Sequence, residues 1–350
     1  MNGTPSASRV LIRPPNWLGD AVMALPALSA VRRHFASSHL TIAAVPAVAA
    51  LFREDIDAAP DRVIELPAGH RAAVALFEGE GFDTALLLPN SFRSAWQIWR
   101  AGIPQRWGIA RSGRRLLLTR AVSLPVRPGV RHQADYYRDL VNALGIACGP
   151  DEPPRVRPRS PSIERARSVL DQHRIARGTR LVGLAPGAAY GQAKQWPPDR
   201  VAAVAAELVR RHDATCLVVG ASHDRDASVA IDAWLRTHAS ETESRVVNLA
   251  GRTSLGALVA LMAEMEVFLS NDSGAMHLAA AVGRPVVAIF GPTDERATRP
   301  IGDHVVIAAP VFCRPCLLRD CPIDHRCMKR ISVETVYAAV ASRLGSTASS

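Results

Sequence analysis

Four polar clusters in this 350-residue chain carry side chains able to do chemistry. The first is Asn16-Trp17-Leu18-Gly19-Asp20, directly after an apolar run that reads as a strand. A carboxylate at Asp20 can serve as a general base. Asp is also a favoured helix N-cap, worth about 1 kcal/mol, so a purely structural role competes. Gly19 suits a tight turn or a close approach of backbone to ligand. The second cluster runs from Ala185 to Pro197 and contains Gly187, Ala188, Gly191 and Lys194. A glycine-bearing loop between strand and helix exposes backbone N–H groups that bind phosphate, and Lys194 adds a mobile cation suited to a pyrophosphate. It lacks the Gly-Lys-Ser/Thr ending of a Walker A loop, and an ordinary connecting loop is the rival reading.

The third cluster is Ser270-Asn271-Asp272-Ser273-Gly274-Ala275-Met276-His277, between a strand-like run and a helical pattern. Its helix start can receive phosphate. Asp272 or Ser273 can equally be plain N-caps, and His277 a satisfied structural histidine. Phe290-Gly291-Pro292-Thr293 ends the next strand-like run. The fourth cluster is Cys313-x2-Cys316-x4-Cys321-x5-Cys327 with His325 inside. Four thiols so close can bind zinc or an iron–sulfur cluster, but the spacing matches no standard finger. Reduced thiols packed beside the loop are the alternative, and no catalysis is assigned to them.

These clusters need a frame that holds them. Short apolar runs alternate with helical patterns along the whole chain, the mark of an α/β architecture. In the first half, strands are expected near Arg9–Arg13, Leu40–Val45, Val63–Leu66 and Thr84–Leu88. The helix after the first strand shows Val22, Leu25, Leu28 and Val31 on one stripe, with Pro26 predicting a kink or a late start. Cys148–Ser162, with Pro150, Pro153, Pro154, Pro158 and Pro161, reads as a linker. The alternation then restarts, with strands expected near Leu181–Ala185, Cys216–Val219, Val246–Leu249, Val267–Ser270, Pro285–Phe290 and Val305–Ala308. Helices are expected over Arg200–Arg211 and Leu255–Met265. Two doubly wound domains follow. Ligands in such sheets bind beyond the carboxyl ends of strands, so a cleft between the domains is the expected site.

Composition agrees with a packed globular core: hydrophobic residues are 48% and charged residues 21%. The polar start Met1–Ser8 has no apolar run before a cleavage site, so no secretory signal is expected. Leu255–Ser270 is the nearest approach to a membrane span, and Glu264 and Glu266 interrupt it. A cytoplasmic protein with at most peripheral membrane contact is expected. The net charge is +10, with Arg100, Arg106, Arg111, Arg114, Arg115, Arg120, Arg127 and Arg131 in one span. That span is a solvated face, a surface for anionic lipid, or a site for a phosphorylated substrate. Nucleic acid is the least favoured partner, because no recognised module is present and aromatics are only 5%. The absence of G-x-G-x-x-G after the first strand argues against a dinucleotide oxidoreductase, and the absence of G-x-S-x-G against an α/β-hydrolase.

Taken together, the motifs resemble the ADP-heptose:lipopolysaccharide heptosyltransferase family, over roughly Arg9 to Val340. The resemblance is carried by Trp17-Leu18-Gly19-Asp20 with Leu25-Pro26-Ala27, by Leu88-Pro89-Asn90-Ser91-Phe92-Arg93-Ser94-Ala95, and by Ala101-Gly102-Ile103-Pro104. In the second half it is carried by Pro186-Gly187-Ala188, Lys194-Gln195-Trp196-Pro197, Asn271-Asp272-Ser273-Gly274 with Met276-His277, and Gly291-Pro292-Thr293. Pro186-Gly187-Ala188 and the Leu-Pro-Asn-Ser-Phe run are most similar to the heptosyltransferase II branch, which adds the second heptose of the inner core.

The resemblance implies a glycosyltransferase B fold of two Rossmann-like domains. Residues 1–160 would bind the acceptor, a Kdo–lipid A inner core at the cytoplasmic face of the inner membrane. Residues 161–350 would bind ADP-heptose. It further implies an inverting reaction without metal or other cofactor. Asp20 would be the base and Lys194 the ligand of the leaving diphosphate. Gly187, Ala188, Asp224, Asp272, Ser273, Gly274 and His277 would contact the donor, and Asn16, Gly19, Asn90 and Arg93 the acceptor. At Asp224 other members carry Glu. The cysteine cluster lies outside the catalytic pattern carried over. Rival readings are a related transferase using another nucleotide sugar or a protein acceptor, and a non-catalytic nucleotide-sugar sensor.

Overall fold

The computed structural model describes residues 8–124, 129–150 and 152–345. The start of the polar Met1–Ser8 run and Arg127 lie outside the described residues. The chain divides into two compact units, Met1–Val156 and Arg157–Ser350.

In the first unit, six strands form one parallel sheet: β1 (Arg9–Arg13), β2 (His39–Ala44), β3 (Arg62–Glu65), β4 (Thr84–Leu87), β5 (Gln105–Ile109) and β6 (Arg120–Val122). Their spatial order is β3-β2-β1-β4-β5-β6. The second unit repeats the plan with β7 (Leu181–Ala185), β8 (Thr215–Val218), β9 (Val246–Asn248), β10 (Val267–Asn271), β11 (Val286–Phe290) and β12 (His304–Ala308), in the order β9-β8-β7-β10-β11-β12. Helices on both faces explain why β7, β10 and β11 are buried along their whole length and read as continuous apolar runs rather than alternating ones.

In each sheet the order reverses beside the first strand. β1 pairs with β4, Arg13 opposite Leu87, and β7 pairs with β10, Ala185 opposite Ser270. Such reversals leave a crevice beyond the carboxyl ends of the paired strands. The segments that leave these four ends are those holding Asn16–Asp20, Pro89–Ser94, Pro186–Lys194 and Asp272–His277. The first three polar clusters and the Leu-Pro-Asn-Ser-Phe run thus sit at two topological switch points, one in each unit.

The expected strands lie within one residue of the observed ends. β5 and β6 are additional. Their Gln-Arg-Trp-Gly-Ile and Arg-Ala-Val sequences carry arginines that hide the apolar pattern, and the short β6 closes an edge of the sheet, where polar residues are tolerated. Pro26 does not kink one helix but separates two, Leu18–Met23 and Leu25–His34. Proline has no N–H to give, and the first turn of a helix needs none, so the second helix starts around it. Pro161 works in the same way. A helix occupies Ser160–Gln172, so the expected linker ends at Arg159 rather than Ser162.

Each sheet closes a core. In the first unit Leu11, Ala85 and Leu87 meet Phe77 and Ile98 from the covering helices. In the second, Trp196 is fully buried among Val182, Leu184, Met328 and Ile331, its indole N–H donating to Ile331 O at 3.2 Å. No helix among the described residues is long and apolar enough to cross a membrane.

Candidate functional site

At the first unit's switch point, Asp20 is not an N-cap. Trp17 holds that position without a side-chain cap bond, and Asp20 lies in the first turn of the Leu18–Met23 helix. Gly19 is within the same turn and has no left-handed backbone, so it makes no tight turn there. The carboxylate of Asp20 is hydrogen-bonded by the hydroxyl of Tyr137, a buried residue on the Gln133–Ala143 helix. Burial, reinforced by the charge of Asp20, holds the Tyr137 hydroxyl well above the usual tyrosine range, so it stays a donor. Gln133 Nε2 donates to the same hydroxyl at 3.3 Å. Asn16 and Trp17 are exposed beside this turn.

The loop after β4 is held by arginine. Arg114 is fully buried. Its Nε donates to Ile109 O at 2.8 Å, and its Nη1 reaches Pro89 O, Ser91 O and Ser94 Oγ. Ser91 caps the Phe92–Arg100 helix by accepting from Ser94 N. Asn90 Nδ2 donates to Tyr136 OH at 2.5 Å, while Asn90 Oδ1 is buried without a hydrogen-bond partner among the described residues. Arg93 is exposed on the first turn of that helix. Arg13, at the end of β1, is also buried, and it donates to Gln97 Oε1 at 3.2 Å on the same helix. Burial lowers its pKa to about 10.

The arginine-rich span therefore splits. Arg114 is core, Arg106 is spent on the carbonyls of Leu117, Ile103 and Pro104, and Arg120 stacks on Trp107. Arg131 is ion-paired with Asp139. Arg100, Arg111 and Arg115 are left exposed. The run is neither one solvated face nor one anion surface, because guanidinium forks bind carbonyls as readily as they bind phosphate.

At the second unit's switch point the charges are paired. Lys194 Nζ lies 2.6 Å from Asp272 Oδ2, and both side chains are largely buried. Thr293 Oγ1 donates to the same carboxylate oxygen at 2.7 Å, and Thr298 Oγ1 to Oδ1 at 3.4 Å. Asn271 joins the two loops: its Nδ2 donates to Pro186 O at 2.6 Å and its Oδ1 accepts from Trp196 N at 3.1 Å. Ser273 stands at the N-cap position of the Gly274–Ala281 helix without capping it, its hydroxyl 3.1 Å from Ser270 Oγ. The N–H groups of that first turn stay available to an anion. His277 is buried within the helix, and Ala188 is buried in its loop.

Asp224 lies directly against the Gly187 loop. A Cβ on Gly187 would sit 2.0 Å from Asp224 Oδ1, so only glycine lets the carboxylate approach. Its Oδ2 accepts from Ala221 N at 2.8 Å; its buried Oδ1 makes no hydrogen bond among the described residues, with His223 Nε2 the nearest charged group at 3.6 Å. A buried carboxylate oxygen is costly when unpaired, and a donor from a ligand removes that cost.

The four C-terminal cysteines line one cavity with His325, and all are free thiols. Burial, with the neighbouring Cys313, Cys321 and Cys316 adding to it, pushes the Cys327 thiol up. Among the described residues no three His, Cys, Asp or Glu side chains stand together so as to hold a metal ion.

Three positions are not marked by the sequence motifs: Tyr137, Thr298 and the clamping role of Asn271. Asn271 had a signal, a lone amide ending an apolar strand. Tyr137 had none, because it is far from Asp20 in sequence and its helix is defined by other residues.

Residues 72–326 match the glycosyltransferase family 9 (heptosyltransferase) profile. The chain is 30% identical over 321 residues to lipooligosaccharide heptosyltransferase 2 of Haemophilus ducreyi, covering 85% of this chain and 88% of that protein. It is 30% identical over 306 residues to lipopolysaccharide heptosyltransferase 2 of Escherichia coli, covering 84% and 85%. The solved structure of E. coli ADP-heptose lps heptosyltransferase II superposes with a TM-score of 0.82 at 24% identity, covering 96% of this chain and 98% of that one, which shows the glycosyltransferase B fold. With the two doubly wound units and their switch-point loops in place, the chain belongs to glycosyltransferase family 9, the heptosyltransferases, and is a glycosyltransferase.

Proposed function

We propose that this enzyme moves L-glycero-D-manno-heptose from ADP-heptose to the inner core of lipopolysaccharide, adding the second heptose to heptosyl-Kdo-lipid A. The observation that carries the reading is the buried Lys194–Asp272 pair at the second unit's switch point. It fixes a cation beside two backbone donor sets, the Gly187 loop and the start of the Gly274–Ala281 helix. A diphosphate leaving group needs such donors, since its charge develops as the anomeric bond breaks. The relatives named heptosyltransferase 2 support the choice of sugar and step.

In this mechanism Asp20 accepts the proton of an acceptor hydroxyl while that oxygen attacks the anomeric carbon. The bond from that carbon to the phosphate oxygen breaks, its electron pair leaves with ADP, and the anomeric centre inverts. Tyr137 holds the carboxylate in position. Lys194, Gly187, Ala188 and the helix start at Ser273 and Gly274 receive the diphosphate. Asp272 positions Lys194 and, with His277, borders the sugar. Asp224 Oδ1 takes a hydroxyl of the donor nucleoside. Residues 161–350 thus bind the donor. Residues 1–160 bind the acceptor through Asn16, Gly19, Asn90 and Arg93. The work is done at the cytoplasmic face of the inner membrane, where the exposed Arg100, Arg111 and Arg115 favour peripheral contact with anionic lipid. No metal takes part.

The test is transfer by the purified protein from ADP-heptose to inner-core acceptors bearing zero, one or two heptoses, with and without a chelator. Transfer to the one-heptose acceptor, unaffected by the chelator, is expected. Turnover with a UDP-sugar and none with ADP-heptose overturns the donor. Preference for the heptose-free acceptor overturns the step, and loss of turnover on chelation overturns the metal-free mechanism.

A further inference from the structure

The segment after β12, residues 309–327, carries the four cysteines; Arg314 and Leu317 tie it to residues 291–295, and three further bonds tie it to the Tyr190–Lys194 loop. Arg319 O accepts from Ala193 N at 2.9 Å, and Leu317 O accepts from Tyr190 OH at 2.9 Å. His325 Nε2 donates to Ala193 O at 2.7 Å. At Gly191 an added Cβ would stand 2.5 Å from Arg319 O, so the close approach of the two backbones depends on that glycine.

These bonds deliver the Arg319 side chain to the same tyrosine that carries Lys194. The guanidinium carbon of Arg319 is 5.2 Å from the centroid of the Tyr190 ring, and Lys194 Nζ is 4.8 Å from it. The two cations are therefore within about 10 Å of each other, inside one Debye length. Their surroundings differ. Lys194 is offset by Asp272, whereas Arg319 is exposed and has no ion pair among the described residues.

We propose that Arg319 is the second cation of the donor diphosphate site and that the cysteine-bearing segment exists to place it there. The proposal rests on Lys194 being the ligand of the leaving diphosphate. A lysine already neutralised by a buried aspartate adds little net charge, while a diphosphate carries at least two negative charges. A guanidinium supplies the missing charge and a fork that grips phosphate oxygens two at a time. Arg319 acts on the leaving group by charge and hydrogen bonding alone. It stabilises the electron pair that passes to the phosphate oxygen when the anomeric bond breaks.

The experiment measures ADP affinity by calorimetry on the full chain at several salt concentrations, with adenosine as the uncharged control probe. Arg319→Ala is expected to weaken ADP about tenfold or more and to flatten the salt dependence, leaving adenosine unchanged. Arg319→Lys is expected to recover part of the loss. Unchanged ADP affinity in Arg319→Ala, with a loss in Lys194→Ala, overturns the proposal and leaves the Lys194 reading standing. Unchanged affinity in both variants, or no ADP binding by the unaltered protein, removes both. An equal loss for adenosine shows a collapsed loop and overturns the proposal. So does a raised acceptor KM with ADP affinity intact, which assigns the cation to the acceptor.

Discussion

The two switch points share one topology and differ in how they hold charge. In the second unit the buried cation Lys194 meets a buried carboxylate, and that carboxylate is bonded by two threonines. In the first unit the buried cations Arg13 and Arg114 are met by neutral oxygens: an amide, backbone carbonyls and a hydroxyl. Arg13 Nε, Arg114 Nη2 and Asn90 Oδ1 are buried there without a hydrogen-bond partner among the described residues. Burial lowers the pKa of both arginines, the expected sign for a cation moved from water into protein. The Lys194–Asp272 pair of the second unit is thus preassembled and mutually compensated, while Arg13 and Arg114 of the first keep positive charge with no carboxylate partner among the described residues, under the loop that carries Asn90. The difference matches the proposed ligands. On the proposed reading, a nucleotide diphosphate is met by backbone N–H groups, the held lysine and Arg319. An acceptor rich in phosphate and carboxylate is drawn by potential.

The largest effect tests whether the first unit holds the chemistry. Asp20→Ala is expected to lower kcat by ~10²–10⁴-fold while ADP affinity stays unchanged. Unaltered turnover removes Asp20 as the base. Next comes the paired charge of the second unit. Lys194→Met leaves Asp272 buried and uncompensated, and is expected to cost about 3 kcal/mol in urea unfolding. Lys194→Met with Asp272→Leu should regain much of it, because an apolar pair of similar volume replaces both charges. If the single change is neutral, the pair is not the buried, preassembled feature described. Arg114→Met then probes the unpaired charge of the first unit. It removes several hydrogen bonds to the Pro89–Ser94 loop but also one buried charge, so a smaller loss of about 2 kcal/mol is expected, together with a raised acceptor KM. A donor KM that rises instead breaks the contrast between the units. The smallest effect concerns Tyr137. Tyr137→Phe is expected to lower kcat/KM about tenfold, the scale of a hydrogen bond to a charged group. The acid limb of its pH–rate profile should move to higher pH, because a donor that favours the carboxylate is gone. Since the Tyr137 hydroxyl is held above the usual tyrosine range, no tyrosine-linked fall is expected below pH ~10 in the unaltered enzyme.

Much of this molecule was legible in its residues. The apolar runs of the second half gave β7, β10 and β11 closely because parallel strands buried along their whole length read as nearly continuous apolar runs. The motifs flanking them marked both switch points. β5 and β6 were not legible, since their arginines serve carbonyls and a tryptophan rather than water. Asp20 looked like a cap because one-dimensional spacing cannot distinguish Ncap from the third helical position.

The sequence by itself therefore determined the alternation of strands and helices, the loops that leave the strand ends, and the family. These depend on local pattern, which a chain carries wherever it folds. Only the tertiary structure decided which charges are paired. Lys194 and Asp272, Asp224 and Gly187, or Tyr137 and Asp20 are distant in sequence, and their meeting depends on strand order. So does the fate of the arginines. Arg114 and Arg115 are chain neighbours, yet one is fully buried and the other is exposed. Their difference is the direction each side chain takes from one short turn, which no composition records.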